Sequence, residues 1–190
     1  RSLMRPRHPA GTVPEPLAPA CELFSASVYL QEALLTDYVL QREENDAREV
    51  GFVIPVTVDD LAANGLLGEA HPRVCWRRSV ETLMARKDDI AGLAVASDER
   101  IEAYLLYVKP GVGPEGNAEA GPRASPPPTE IVSLRSFIED GGVRLKQLLY
   151  RLRVPGIGTF RFPKVHPAEI SKELLEALGF RPAGGHLLYA

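Results

Sequence analysis

"TEIVSLRSFIEDGGVRLKQLLYRLR", residues 129–153, decides the fold. It opens with a short run of strand formers, so "TEIVSLRSF" is expected to be a strand, and "IEDGG" is expected to turn the chain. In "VRLKQLLYRLR", Val143, Leu145, Leu148, Leu149 and Leu152 recur at helical spacing. That predicts a helix with an apolar face toward a core. A strand that passes through a glycine turn into a helix has chemical meaning. The first turn of such a helix offers backbone N–H groups and positive potential, which suits a phosphate.

Upstream, "VGFVIPV" reads as a strand from Val50, and "TVDDLAANGLLG" as a helix. Thr57 can cap that helix, Asp59 and Asp60 suit the positive end of its dipole, and Gly65 or Gly68 stops it. After the loop "HPRVCW", "WRRSVETLMARKDD" predicts a second helix through Val80, Leu83 and Met84, with Trp76 as a core anchor. "IAGLAVAS" and "IEAYLLYVK" flank "DER" as a β-hairpin, and Tyr104 and Tyr107, three apart, face opposite sides of it. Residues 110–128 are nearly all Pro, Gly, Ala and polar residues, and predict a long mobile excursion.

Downstream, "GTFRFPKV" reads as a strand interrupted by Pro163. "HPAEISKELLEALGF" reads as a helix with His166 at its start, Pro167 in its first turn and Gly179 at its C-terminal end. "HLLYA" is a terminal strand. This order predicts an α/β (α+β) domain over residues 48–190, with a mixed, mostly antiparallel sheet and helices on both faces. Ahead of it, residues 1–20 hold five prolines and read as an arm. In residues 22–42 the apolar positions spread all round a helical wheel, which disfavours a surface helix. Two strands with a turn near Gln31 and Glu32 are expected there, so residues 1–47 are an arm plus a strand pair.

Composition excludes some functions. A net charge of −3 without a long basic tract argues against nucleic acid as the main partner. Cys21 and Cys75 form neither a disulfide framework nor a zinc pattern, so a reducing cytoplasmic setting is expected. No apolar run is long enough to predict a membrane span. No local motif suggests a Ser/His/Asp set, and "GVGPEG" and "GIG" are not a nucleotide fingerprint. The chain starts at Arg1 rather than Met, which fits a fragment of a longer protein.

The element order and the ending "ELLEALGFRPAGGHLLYA", a helix that runs into "GF" and then a last strand, resemble the GCN5-related N-acetyltransferase (GNAT) superfamily. "FVIPVTVDDLAA" is similar to its opening strand and helix, and "WRRSVETL" falls where its second helix would be. The resemblance implies acetyl-CoA as co-substrate, lying in a V between two central strands that splay apart. It also implies pantetheine held by the fourth strand, here near Leu134 and Ser136, and pyrophosphate on the turn at Gly141, Gly142, Val143 and Arg144. A small-molecule or peptide amine would attack the thioester. Glu130, opening the central strand, would be the base, and Tyr189 on the last strand would line the acceptor side. Both also read as structural groups: Glu130 as a solvated strand-end carboxylate, Tyr189 (like His186 beside it) as a packing residue. Tyr150 reads as a packing residue too.

The sequence also departs from the family's pattern. Aligned on Leu148 and Leu149, the glycine positions of its turn fall on Val143 and Leu145, and its first Gln or Arg falls on Asp140. A side chain at a glycine position keeps the backbone from a pyrophosphate, and an acid repels it. A shifted turn using Gly141 and Gly142, with Arg144 compensating, is the alternative. The family's usual tyrosine acid lies four residues before the "GF" glycine; here that residue is Leu175, which cannot donate a proton. Two functions therefore stand: an acetyl-CoA-dependent N-acyltransferase with a variant turn, or a degenerate domain that binds or supports, as one partner of a dimer or one half of a tandem protein. An open glycine-lined turn favours the first; Leu145 filling it favours the second.

Overall fold

In the computed structural model, residues 11–14, 19–20, 22–23, 31–41, 51–67, 78–111, 127–153 and 158–189 are described. Eight strands form one sheet: β1 Gly11–Pro14, β2 Gln31–Gln41, β3 Phe52–Val56, β4 Ile90–Ala96, β5 Ile101–Val108, β6 Thr129–Ser136, β7 Thr159–Val165 and β8 Arg181–Tyr189. Their order is β1-β8-β2-β7-β6-β5-β4-β3. Four helices of six residues or more accompany them: α1 Val58–Ala63, α2 Val80–Ala85, α3 Val143–Arg153 and α4 Lys172–Ala177.

Local chemistry sets the helix starts. Thr57 caps α1 in a reciprocal box: its hydroxyl accepts from the Asp60 N–H at 3.1 Å, and the Asp60 carboxylate accepts from the Thr57 N–H at 2.8 Å. Ser79 caps α2, and Ser171 caps α4. The predicted start of the last helix is corrected here. Pro167 lies in a turn where the Ala168 N–H donates to His166 Nδ1, and the helix begins only where Ser171 can satisfy its free N–H groups. Gly179, at φ 91°, ends α4 as expected and lets the Phe180 N–H donate back to the Leu175 carbonyl.

The sheet buries both faces. On one, Leu145, Leu148, Leu149 and Leu152 of α3 and Leu175 of α4 pack with Leu105, Ile131, Phe160 and Phe162. On the other, Val58 and Leu61 of α1 and Leu83 of α2 pack with Ala94, Tyr104 and Leu106. Each fully buried leucine or phenylalanine contributes about 1.5–3 kcal/mol, so α3 is secured chiefly by its apolar face.

Two places in the sheet matter for function. The first is the parallel pair β6–β7, joined only at Thr129↔Phe160 and Glu130↔Arg161, after which the strands part. Between Tyr107↔Ile131 and Leu106↔Ser133, β6 carries an extra residue, Val132, and such a bulge adds twist where the strands separate.

The second is β2, which corrects the reading of the N-terminal part. Gln31 and Glu32 are not a turn; they lie in β2, a single strand flanked by β7 and β8. The other strand expected there falls mainly outside the described residues. The apolar positions of β2 spread round a helical wheel because an interior strand is buried on both sides, as Leu35, Asp37, Tyr38 and Leu40 show. The sequence reading set residues 1–47 apart, yet β1 and β2 pair within the same sheet. Nor does Pro163 interrupt β7. Pro163 and Lys164 lie opposite the single residue Asp37 as a bulge, Lys164 at φ 52°, with its N–H donating to Asp37 Oδ1 at 2.8 Å. A bulge is where a residue without an N–H is tolerated.

Candidate functional site

The site has two parts, the turn before α3 and the stretch of β7 beyond its pairing with β6, and side chains of the chain itself occupy the backbone groups of each. At the turn, Gly141 and Gly142 have φ of 65° and 86°, which favours glycine. The Asp140 carboxylate folds over the start of α3: Oδ1 accepts from the Gly142 N–H at 2.9 Å, and Oδ2 from the Arg144 N–H at 3.1 Å. Arg144 Nη1 donates to the same Oδ2 at 2.8 Å, while its Nε donates to Glu102 Oε2 at 2.7 Å. Burial works to raise the Asp140 carboxyl, but the hydrogen bonds from Arg144 and Gly142 outweigh it and hold it below its ordinary value. Those to Asp140 and Glu102 raise Arg144.

The two glycines face different surroundings. A Cβ on Gly141 would meet nothing within 4 Å, whereas one on Gly142 would lie 2.8 Å from Leu174 Cδ1 and 3.2 Å from Leu178 Cδ2. So Gly142 is bare to let α4 lie against the turn. Val143 opens α3 half-buried, and Leu145 is 1% exposed in the core with Leu175 and Leu178. Leu175, where an acid was sought, is wholly buried. These residues do not fit a pyrophosphate: two N–H groups that would receive it are held by a resident carboxylate, and Arg144 is shared by two acids.

Arg78 docks on the bulged end of β7. Its Nη1 and Nη2 donate to the Pro163 carbonyl at 3.0 and 2.8 Å, and Nη2 also to the Lys164 carbonyl at 2.9 Å. Its Nε donates to Glu169 Oε1 at 2.8 Å, and its Cζ lies 4.9 Å from the centre of the Phe162 ring. Burial raises the Glu169 carboxyl above its ordinary value despite Arg78. On β5, burial raises the Tyr104 hydroxyl.

The expected site residues are dispersed. Glu130 lies in the last paired position of β6, opposite Arg161. Tyr189 ends β8, with its backbone opposite Gly11 and Gln31. By strand spacing and rise these two are roughly 30 Å apart, so the fold does not bring them together. Leu134 is buried in the core, and Ser136 closes a local turn by donating to the Ile138 carbonyl at 2.8 Å. Only Gly141, Gly142, Val143 and Arg144 share one place, with Asp140.

Sequence reasoning missed Arg78, Glu169 and Asp37. Nothing local marks Arg78 or Glu169, whose pairing is long-range. Asp37 did carry a signal, an acid inside the apolar run "LLTDYVL". Its Oδ2 accepts from Arg161 Nη2 at 3.1 Å and meets His186 Nε2 at 3.2 Å. Burial raises it, but the bonds from the Lys164 N–H, His186 and Arg161 prevail and lower it. So Asp37 ties β2 to both neighbours. Among the described residues no cluster of His, Cys, Asp and Glu could hold a metal, and no helix is long and apolar enough to cross a membrane.

No protein-family model matches this chain, and neither does any curated protein. Solved structures do. A GCN5-related N-acetyltransferase from Sphaerobacter thermophilus aligns at TM-score 0.60 and 13% identity, over 95% of this chain and 58% of its own. One from Kribbella flavida aligns at 0.59 and 11%, over 95% and 66%. A tandem GNAT protein from the clavulanic acid biosynthesis pathway aligns at 0.53 and 14%, over 95% and 62%. The chain thus spans less than two thirds of each of these proteins. At such identities the likeness is one of architecture: this chain has the fold of the GCN5-related N-acetyltransferases.

Proposed function

We propose that this chain is a GNAT-fold domain whose acetyl-CoA site is shut by its own side chains, and that it acts as a binding or structural module, one half of a tandem or dimeric acyltransferase. The observation that carries this reading is the Asp140 carboxylate on the Gly142 and Arg144 N–H groups. An anion already fills the place that recommended the turn for a phosphate. Leu175 adds to it, since it lies wholly buried where a thiolate would need an acid; Leu145 faces the core rather than the turn and does not fill it. The greater length of the similar structures, one of them a tandem protein, suits a chain that works beside a second domain.

A second reading is kept on a specific observation: β6 and β7 part as an acyltransferase of this fold needs. On that reading the chain transfers an acetyl group from acetyl-CoA to a small-molecule or peptide amine. Calorimetric titration of acetyl-CoA and of CoA separates the two. The closed-site reading expects no saturable heat at millimolar ligand. Micromolar binding would overturn it and make an amine screen the next step.

A further inference from the structure

The surroundings of Arg78 form a receptor for a particular chemical group. Two backbone carbonyls, one carboxylate oxygen and one aromatic ring converge on its guanidinium. The four polar contacts use all three nitrogens, edge-on, while the Phe162 ring lies near Cζ. That arrangement matches a planar fork of donors and a stackable cation; an ammonium, a compact point charge, would satisfy only part of it. Glu169 Oε2 is buried and has no hydrogen-bond partner among the described residues, so the receptor holds one acceptor more than Arg78 uses.

The occupant comes from the start of a short element. Arg78 directly precedes Ser79, the cap of α2, and α2 has only six residues, of which Leu83 alone is buried. A helix this short has little stability of its own. The acceptors, by contrast, lie on β7 and on the turn after it, which β2 secures through the Lys164–Asp37 bond.

We infer that residues 162–164 and Glu169 form a guanidinium-binding site, and that Arg78 is its resident pseudo-ligand, in the place of a guanidinium-bearing ligand such as an arginine side chain. The inference rests on the closed-site reading only in taking the gap as filled, and CoA titration does not decide it. Either result there leaves the receptor to be tested by itself.

The test is thermal unfolding of the whole chain, with ethylguanidinium as the probe and tetramethylammonium as the control cation. In Arg78→Met, about 20 mM ethylguanidinium is expected to raise the midpoint by about 3 °C. The wild type should not respond, because tethered Arg78 competes at high effective concentration. Arg78→Met with Glu169→Gln should lose most of the gain. Equal shifts in all three proteins, or an equal shift with tetramethylammonium, would overturn the assignment. Should Arg78→Met not fold in buffer, recovery of its circular dichroism by ethylguanidinium supports the site, and a spectrum that stays unfolded refutes it.

Discussion

The turn before α3 and the bulged end of β7 are met by opposite charges, and each charge answers the backbone it meets. At the helix start the backbone offers N–H groups, and the chain supplies a carboxylate, Asp140. Beside β7 it offers carbonyls, and the chain supplies a guanidinium, Arg78. They differ in reach and in the burial of the cation, since the Arg144 side chain is 17% exposed while its partner Asp140, at 14%, is nearly as buried as Glu169. Asp140 acts on residues two and four positions away. The side chains of Arg78 and Glu169 are 3% and 12% exposed, and their bond joins residues 91 positions apart. A local closure can be altered with little harm to the rest; a buried ion pair becomes part of the core and is costly to break. The difference shows that one fold can satisfy exposed backbone donors locally and exposed backbone acceptors through a long-range, buried partner.

The largest effect is expected of Arg78→Ala, which leaves Glu169 buried without its cation. A loss of about 3–5 kcal/mol is expected in urea denaturation. Adding Glu169→Gln should return part of it. A loss as small as that of an exposed pair would show that the buried end is no different from the turn.

The glycines sharpen the other end. Gly142→Ala meets both a strained φ and the side chains of α4, and should cost about 2–3 kcal/mol. Gly141→Ala meets only the φ and should cost about 1 kcal/mol. Equal costs in denaturation would mean that α4 does not lie on the turn.

A smaller effect is expected at Asp140. Asp140→Asn should cost about 1 kcal/mol at neutral pH, as a weakened helix cap. The sign of its pH dependence follows from the lowered carboxyl. The wild type's advantage is present above the unfolded value near 3.8 and is lost as pH falls through the lower folded value. Urea denaturation of both proteins across that range checks it; an advantage that grows toward acid would contradict the network.

Much of the fold was legible because its signals are local. Thr57 and Asp60 mark α1, the leucines of α3 mark its buried face, and Gly179 with Phe180 marks the end of α4. The place of β2 was not legible, since pairing with β7 and β8 depends on residues more than a hundred positions away. Pro163 misled for a related reason: the bulge that accommodates it is completed by Asp37. At the candidate site, the sequence showed that Asp140 and Leu145 depart from a phosphate turn. It could not show that the Asp140 side chain turns back onto its own helix, nor that Arg78 reaches Glu169.

Whether Asp140 shuts the turn is read from the Gly142 and Arg144 amide resonances while CoA is added. With the Asp140 carboxylate seated on both N–H groups, neither resonance should move at millimolar CoA in the wild type. A saturable shift of both amides at neutral pH would contradict the account and return the turn to use as a cofactor site.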